Sequence, residues 1–393
     1  MALSEWLANA FPTSTVMVMC GGAALVLGFG ILAVLMKTGW AWDIATDVPN
    51  HRSMHTRPTP RVGGLGLIPA CLIVGAMSAP TFRLAALIAL GLALVSQIDD
   101  RRGLPARVRF AVHMASAVVF VCLTWAIGPP GTALTGSAVA GFLTSGWGVT
   151  ALLILSVITF VWSMNLYNFM DGLDGLAGGM ASAGFTVYAI VAFFAIRDGA
   201  SAAGAPALYD ASVHRLSAVR DVAIASSAVA GAAVGFMFWN APPAKLFLGD
   251  AGSVPLGFLA ASLGWLGWSY GAWPAAFPFI VFAPFACDTT VTLLRRLARG
   301  ERFWEAHREH YYQRMARMGW PRWRVLLISY GAMLLTGGGA IIYATAPSAT
   351  ARPTGHVFPI GIIAAVLCFA GLAGLGVFID RRWGRYTSAV ETN

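Results

Sequence analysis

The chain has little charge for its length. Only 11% of its 393 residues are Asp, Glu, Lys or Arg, whereas 58% are hydrophobic. A soluble globular domain carries roughly 25% charged residues, so this chain has too few to cover a water-facing surface of its size. The shortage excludes a soluble enzyme, a disordered chain and a nucleic-acid-binding domain. The composition instead predicts a polytopic membrane protein.

Cysteine is also scarce, and its spacing follows no pattern. Neither a disulfide framework nor a zinc site is indicated, because no two cysteines form a C-x-x-C pair and all lie inside apolar runs. We interpret them as small packing residues. They are Cys20, Cys71, Cys122, Cys287 and Cys368.

Apolar runs of about membrane length recur along the chain. They predict an all-α, polytopic integral membrane helix bundle with about eleven transmembrane helices, forming one domain over residues 1–393. The last two runs and a short tail occupy residues 324–393. The eleven runs are 13–36, 63–80, 82–98, 109–128, 148–164, 176–196, 222–239, 254–270, 272–290, 324–345 and 356–379.

The basic residues predict the orientation of this bundle. If the eleven runs cross the membrane in turn, 21 of the 26 Lys and Arg residues fall on one side. Cytoplasmic loops carry such an excess, so we expect the N-terminus outside and the C-terminus inside. The Asp residues that are candidates for catalysis or binding lie at the same cytoplasmic ends. The predicted site is therefore cytoplasmic.

Two acidic motifs stand out on that side. Asp99 and Asp100 close the third run, where a helix C-terminus disfavours negative charge; they are either a solvated helix end or a pair that binds a cation or removes a proton. The second motif has polar residues spaced by three, which share one face if the segment is helical. It could bind a sugar, a base or a divalent ion, or it could be an Asp-Gly turn. Its members are Asn165, Asn168, Asp171 and Asp174.

A third motif, N-A-P-P-A-K-L-F-L-G-D-A-G-S, runs from Asn240 to Ser253. Its Asp250 could cap the eighth helix or hold Mg²⁺ against a phosphate at that helix N-terminus. Lys245 would add a phosphate contact, and Phe247 offers a flat surface for a base.

The most basic stretch runs from Arg295 to Arg324 and contains His307, Arg308 and His310. A loop that touches anionic lipid would explain most of its arginines, whereas two histidines three residues apart beside arginines, on an expected helix, suit a diphosphate. A smaller cluster, from Arg52 through His55, Arg57 and Arg61, has a similar character. Asp288, at membrane depth, is a functional candidate or a partner of Arg295 or Arg296.

Together these segments resemble the polyprenyl-phosphate N-acetylhexosamine-1-phosphate transferase family. The family includes the enzymes that initiate O-antigen and teichoic-acid linkage synthesis, and the phospho-MurNAc-pentapeptide translocase. The resemblance covers residues 43–324, in chain order. It rests on D-V-P-N-H-R-S-M-H, P-T-P-R-V-G-G, Asp99-Asp100, N-F-M-D-G-L-D-G, N-A-P-P-A-K-L-F-L-G-D-A-G-S and A-H-R-E-H-Y-Y-Q-R.

The resemblance implies a reaction in the bacterial inner membrane. A sugar 1-phosphate passes from a UDP-N-acetylhexosamine to undecaprenyl phosphate, releasing UMP, with Mg²⁺ or alternatively Mn²⁺. By resemblance Asp250 is a metal ligand, with Asp171 beside it, and Asp99 and Asp100 deprotonate or position the lipid phosphate. The resemblance also implies a set of substrate-binding residues: Asn168, Asp171, Asp174, Asn240, Lys245, Phe247, His307, Arg308, His310, Arg57 and Arg61.

The last motif reads His310-Tyr311-Tyr312-Gln313, where the translocase has consecutive histidines. It is more similar to the O-antigen-initiating branch, so GlcNAc, FucNAc or QuiNAc are expected donor sugars. Transfer of phospho-MurNAc-pentapeptide remains the alternative function. A homodimer remains open as the assembly of the protein. An anionic-solute transporter is disfavoured, because such proteins bind near mid-membrane and His113 is the main polar exception among the mid-span positions.

Overall fold

A computed structural model of the protein describes residues 3–49, 57–127, 145–202, 209–302, 307–346 and 360–391. Within these ranges the chain forms fifteen α-helices, one 3₁₀ turn and a pair of two-residue antiparallel strands. The helices are α1 Leu3–Ala10, α2 Thr13–Thr38, α3 Trp40–Ile44, α4 Gly63–Ser78, α5 Arg83–Arg102, α6 Ala106–Ile127, α7 Gly146–Phe169, α8 Leu176–Ala202, α9 Tyr209–Asn240, α10 Asp250–Ser269, α11 Phe277–Val281, α12 Ala283–Ala298, α13 Tyr311–Arg317, α14 Arg322–Thr345 and α15 Ile360–Glu391. The 3₁₀ turn is Pro80–Phe82, and the strands are β1 Thr46–Asp47 and β2 Thr59–Pro60.

The prediction of an all-α polytopic membrane protein is confirmed. In the described part of the chain, eight helices are long and apolar enough to cross a membrane. Within the described residues each of the eleven apolar runs overlaps a helix, and the ninth is divided at Phe282 into α11 and α12. Proline at the start of each piece is tolerated because the first helical N–H has no partner within its helix. The number of crossings and their orientation stay predictions.

Helix α10 lies at the centre of the bundle, and nearly all its side chains from Ala251 to Gly267 are buried. Glycines let neighbouring helices approach its ends and sides closely. A Cβ on Gly64 of α4 would lie 2.4 Å from the backbone N of Gly252, and one on Gly257 would lie 2.4 Å from the backbone O of Ser163 in α7. This packing fixes the start of α10 between α4 and α7.

Backbone hydrogen bonds join the segment before α4 to the segment before α10. The N–H of Phe247 donates to the carbonyl of Pro60 over 2.8 Å, and the N–H groups of Gly63 and Gly64 donate to the carbonyls of Phe247 and Leu248. Arg61 pairs with Phe247 in this short bridge. Two of the predicted motifs are therefore adjacent although nearly 190 residues separate them.

Candidate active site

Four carboxylates from three parts of the chain gather at one end of the bundle: Asp99 and Asp100 at the end of α5, Asp171 after α7, and Asp250 at the start of α10. The Oδ2 of Asp100 accepts a 3.1 Å hydrogen bond from the N–H of Ala251. A carboxylate that is unfavourable at the end of its own helix is thus stabilised at the N-terminus of another. Gly249, with φ of 73°, forms the turn into α10, and a Cβ there would lie 2.9 Å from the Oδ2 of Asp100.

Two arginines neutralise part of this negative charge. Nη1 of Arg109, from α6, lies 3.2 Å from Asp99 Oδ2 and 3.8 Å from Asp250 Oδ2, so it bridges two of the carboxylates. Arg61 lies 3.9 Å from Asp100 Oδ1 and 3.0 Å from Asp47. Arg61 was predicted as a site residue. Arg109 was not, because four arginines occur between residues 101 and 109 and the sequence does not distinguish them.

Of the two interpretations of the second motif, the helix face is wrong for its acids and the Asp-Gly turn is confirmed for them. Helix α7 ends at Phe169, and Asp171 and Asp174 lie in the turn that follows, where Gly175 has a φ of 81°. The turn still brings Asp171 to the site. Burial raises its pKa well above the ordinary value, the negative charge of Asp250 raises it further, and the positive charge of Arg61 opposes both. Asn168 stays on α7 and donates hydrogen bonds to Asp250 and Ser253.

Asp174 and Asn240 hold two loops together. Asp174 is buried and accepts hydrogen bonds from the N–H of Ala244 and from Arg322. Asn240 is also buried; its Oδ1 accepts from the N–H of Gly175, and its Nδ2 donates to the carbonyl of Leu246. Both polar atoms of the Asn240 amide are therefore engaged within the protein. Contact of these side chains with a nucleotide stays a prediction.

The loop that Asn240 holds carries two more predicted residues. Lys245 is exposed, with its Nζ 5.6 Å from the ring centroid of Trp239. Phe247 is half-buried and is fixed through its backbone to Pro60 and Gly63. Arg57 is exposed and precedes β2, while Arg52 and His55 lie outside the described residues.

The basic segment is anchored by Asp288 of α12. Oδ1 of Asp288 lies 3.2 Å from Nδ1 of His310 and accepts from the N–H of Tyr311 over 2.9 Å; Oδ2 accepts from the N–H of Tyr312. The expected partners Arg295 and Arg296 are wrong for Asp288, since they pair instead with Asp380 and with Glu301 and Glu309. A buried carboxylate at the N-terminus of α13 satisfies N–H groups that have no partner within that helix.

The expected helix through both histidines is also wrong. His307 and Arg308 precede α13, and His310 is the residue at its N-cap. The rings of His307 and His310 are 4.9 Å apart, and His310 stacks between Phe169 at 6.2 Å and Tyr312 at 6.0 Å. Tyr312 donates from its hydroxyl to the carbonyl of Phe169, which ties this segment to the end of α7. The histidine cluster is thereby held next to the turn that carries Asp171.

An apolar cavity of about 640 Å³ opens onto the carboxylates. Its walls come from α5, α6, α7 and α10, and Asp99, Arg109, Asn168 and Asp250 lie along it. His113 also lines this cavity; it is buried, and its Nδ1 has no hydrogen-bond partner among the described residues. The cavity is therefore apolar along most of its wall and charged where Asp99, Arg109 and Asp250 line it.

Carboxylate oxygens are ligands that Mg²⁺ accepts, so the cluster matches this ion in ligand type, and metal binding stays a prediction. In the described ranges no three His, Cys, Asp or Glu side chains form a full protein cage. Mg²⁺ usually takes one or two carboxylates and leaves its other positions to water and phosphate. Asp250 and Asp171 could supply two oxygens, and Oδ1 of Asp100 is buried without a hydrogen-bond partner in the described part, 3.9 Å from Arg61.

Comparison with known proteins identifies relatives of this sequence. The family model "Glycosyl transferase family 4" matches residues 82–267. A phospho-N-acetylmuramoyl-pentapeptide-transferase of Frankia casuarinae is 30% identical over 252 residues, which is 59% of this chain and 70% of that protein. A decaprenyl-phosphate N-acetylglucosaminephosphotransferase of Mycolicibacterium smegmatis is 29% identical over 379 residues, 88% of each chain.

A probable undecaprenyl-phosphate N-acetylglucosaminyl 1-phosphate transferase of Bacillus subtilis is 28% identical over 301 residues, 73% of this chain and 74% of that protein. The matched family segment contains Asp99, Asp100, Asp171 and Asp250, and it ends before Asp288 and His310. With the carboxylate site inside the matched segment and 70% of a curated relative covered at 30% identity, the chain belongs to glycosyl transferase family 4, the superfamily of the polyprenyl-phosphate phosphosugar transferases.

Proposed function

We propose that the protein transfers an N-acetylhexosamine 1-phosphate from a UDP-sugar to undecaprenyl phosphate, giving undecaprenyl-diphosphate-N-acetylhexosamine and UMP. The observation that carries this proposal is the apolar cavity whose far end holds Asp99, Arg109 and Asp250. A polyprenyl chain needs an apolar space, and its phosphate needs a cation and a proton acceptor at the end of that space.

The donor side is supported by the residues around the turn after α7. The turn itself carries Asp171, the loop of Phe247 contacts it through the N–H of Ala244, and the segment of His307 and His310 is tied to it through Tyr312. An aromatic ring can stack on uracil, and the histidines and Arg308 suit a diphosphate. The acceptor cavity and the donor residues therefore meet at the four carboxylates.

The proposed chemistry is one displacement at phosphorus. An oxygen of the lipid phosphate forms a bond to the sugar-bearing phosphorus, and the bond from that phosphorus to the bridging oxygen breaks, so that UMP leaves. Asp99 and Asp100 orient the lipid phosphate and accept its proton, and Arg109 offsets its charge. Mg²⁺, or alternatively Mn²⁺, bound through Asp250 and Asp171 would neutralise the phosphates of the donor.

We further propose that the reaction takes place on the cytoplasmic side of a bacterial inner membrane and begins an O-antigen or related envelope glycan. The basic excess on the loops around the site supports the cytoplasmic side. The N-acetylglucosamine-type relative aligns over 88% of the chain, whereas the pentapeptide-type relative aligns over 59%. This difference favours a simple N-acetylhexosamine donor over MurNAc-pentapeptide.

The test is UMP release by the purified full chain in detergent with undecaprenyl phosphate and Mg²⁺. The donor panel contains UDP-GlcNAc, UDP-GalNAc, UDP-FucNAc, UDP-QuiNAc and UDP-MurNAc-pentapeptide. UMP that depends on lipid, on metal and on one donor would support the proposal and identify the sugar. The absence of UMP with every donor would overturn the proposal. Uptake of an anionic solute by proteoliposomes would then support the alternative function, an anionic-solute transporter.

A further inference from the structure

Asp380 of the last helix, α15, joins three side chains of the basic segment. Its carboxylate pairs with both terminal nitrogens of Arg295, at 2.8 and 2.6 Å. The same group lies 3.0 Å from Nη1 of Arg314 and accepts a 3.2 Å hydrogen bond from the hydroxyl of Tyr311. One carboxylate on the C-terminal helix thus connects α12, α13 and α15.

This network holds Tyr311, the residue that follows His310, in place. The N–H of Tyr311 donates to Asp288, while its hydroxyl donates to Asp380. The guanidinium groups of Arg295 and Arg314 lie 5.4 and 5.7 Å from the centroid of the Tyr311 ring. Tyr311 is therefore held at both ends by carboxylates and on its ring by cations.

The charge network adds to the hydrogen bonds of Asp288 at a place where the packing beside Tyr311 leaves space. An apolar cavity of about 430 Å³ lies between α12, α14 and α15, and Tyr311, Asp288 and Asp380 line it. An isolated exposed ion pair contributes little, but a bidentate arginine pair within a network is a stronger restraint. The side chain of Asp380 is 28% exposed, so water screens it only in part.

We propose that Asp380 is a positioning residue for donor binding: it holds α13 so that His310 and His307 face the diphosphate of the UDP-sugar. Asp380 lies outside residues 82–267, the segment that the family model matches. The proposal rests on the proposed function, because it assigns a role in binding the donor of that reaction.

Steady-state kinetics of Asp380→Asn test the proposal. Asn has nearly the shape of Asp but cannot neutralise two arginines, so α13 should shift. Because a misplacement of about 1 Å can cost up to a hundredfold, we expect the KM for the UDP-sugar to rise about tenfold. The KM for undecaprenyl phosphate should stay within twofold. Asp380→Glu should recover most of the donor KM, and Arg381→Ala, an exposed neighbour on α15, is the matched control.

Hydrogen exchange on the same full-length variants gives a readout that needs no turnover. Asp380→Asn should speed amide exchange in residues 307–317 and leave residues 250–269 unchanged, whereas Arg381→Ala should change neither. An equal rise in both KM values, or faster exchange throughout the bundle, would mean a general structural role and would overturn the proposal. If wild type releases no UMP while the exchange result holds, the proposed function fails and the positioning of α13 by Asp380 stands.

Discussion

Nδ2 of Asn168 donates a 2.8 Å hydrogen bond to Oδ1 of Asp250, although 82 residues separate them in the chain. The bond ties the end of α7 to the start of α10 and sets the direction of the carboxylate. It leaves Oδ2 of Asp250 near Arg109, at 3.8 Å. An amide from one acidic motif thus orients the principal acid of another.

Asp250→Asn should lower UMP release at least a hundredfold. The variant keeps an oxygen that can accept the bond from Asn168 but loses the charge proposed to bind Mg²⁺. Its melting temperature should not fall, because repulsion within the carboxylate cluster decreases. Initial rates and a thermal melt check both points, with the exposed Asp198→Asn as control. Near-normal turnover would contradict the metal role.

Arg109→Ala should reduce kcat/KM for undecaprenyl phosphate by about ten- to a hundredfold, because it removes the cation between Asp99 and Asp250. Arg109→Lys should retain more activity, since the charge remains. The measurement is a titration of lipid at saturating donor, with the exposed Arg102→Ala as control. An unchanged lipid dependence would show that Arg109 only stabilises the fold.

Phe247→Ala should raise the KM for the UDP-sugar about tenfold, the magnitude of one lost base-stacking contact. Phe247→Tyr keeps an aromatic face and should stay close to wild type. The backbone bridge to Pro60 and Gly63 does not depend on the side chain, so the loop should remain in place. Donor titrations of the two variants test this, and equal KM values would argue against stacking.

His307 should remain uncharged near neutral pH. Burial, followed by the electrostatic interaction with His310 and the positive charge of Arg296, lowers its pKa to about 4. As the pH falls below about 6.5, the ordinary pKa of histidine, His307 becomes protonated in the unfolded chain but stays neutral in the folded protein. The unfolded state then binds more protons, so the free energy of unfolding falls. His307→Gln should therefore lose less melting temperature than wild type between pH 7.5 and pH 5. The exposed His214→Gln should behave like wild type, and equal losses in all three proteins would refute the shift.

Gly172→Ala should destabilise the protein by about 1–3 kcal/mol, the usual cost of overpacking. A Cβ at this position would lie 2.1 Å from the hydroxyl of the buried Tyr312. Adding Tyr312→Phe should raise the melting temperature above that of the single Gly172→Ala variant, because the clashing oxygen is gone. Gly91→Ala, with open space around it, is the control. A double variant no better than Gly172→Ala would show that the clash is not the cause.

The sequence was sufficient for the main features of the fold and for the gathering of the acidic motifs at one end of the bundle. Helices that cross lipid must satisfy their backbone internally and expose apolar side chains, so long apolar runs reveal them directly. The clustering of Asp99, Asp100, Asp171 and Asp250 at one end follows from alternation of the runs, once loops are assigned to two sides. The local structure of the second motif was harder to predict from the sequence. The three-residue spacing that indicates a helix face also occurs across the turn after α7.

What the sequence determined by itself was the class of protein and the end of the bundle at which the acidic motifs gather. Only the tertiary structure decided which polar groups meet. Arg109 and Asp380 have no local pattern that separates them from other charged residues, and the sequence predicted the wrong partners for Asp288. Asp99 lies only 10 residues from Arg109, but the other partner of Arg109, Asp250, comes from a distant helix. Arg314 lies 66 residues from Asp380, and His310 lies 22 residues from Asp288. Partner choice for a buried charge depends on where distant helices bring opposite charge and unpaired N–H groups, and helix packing alone sets that.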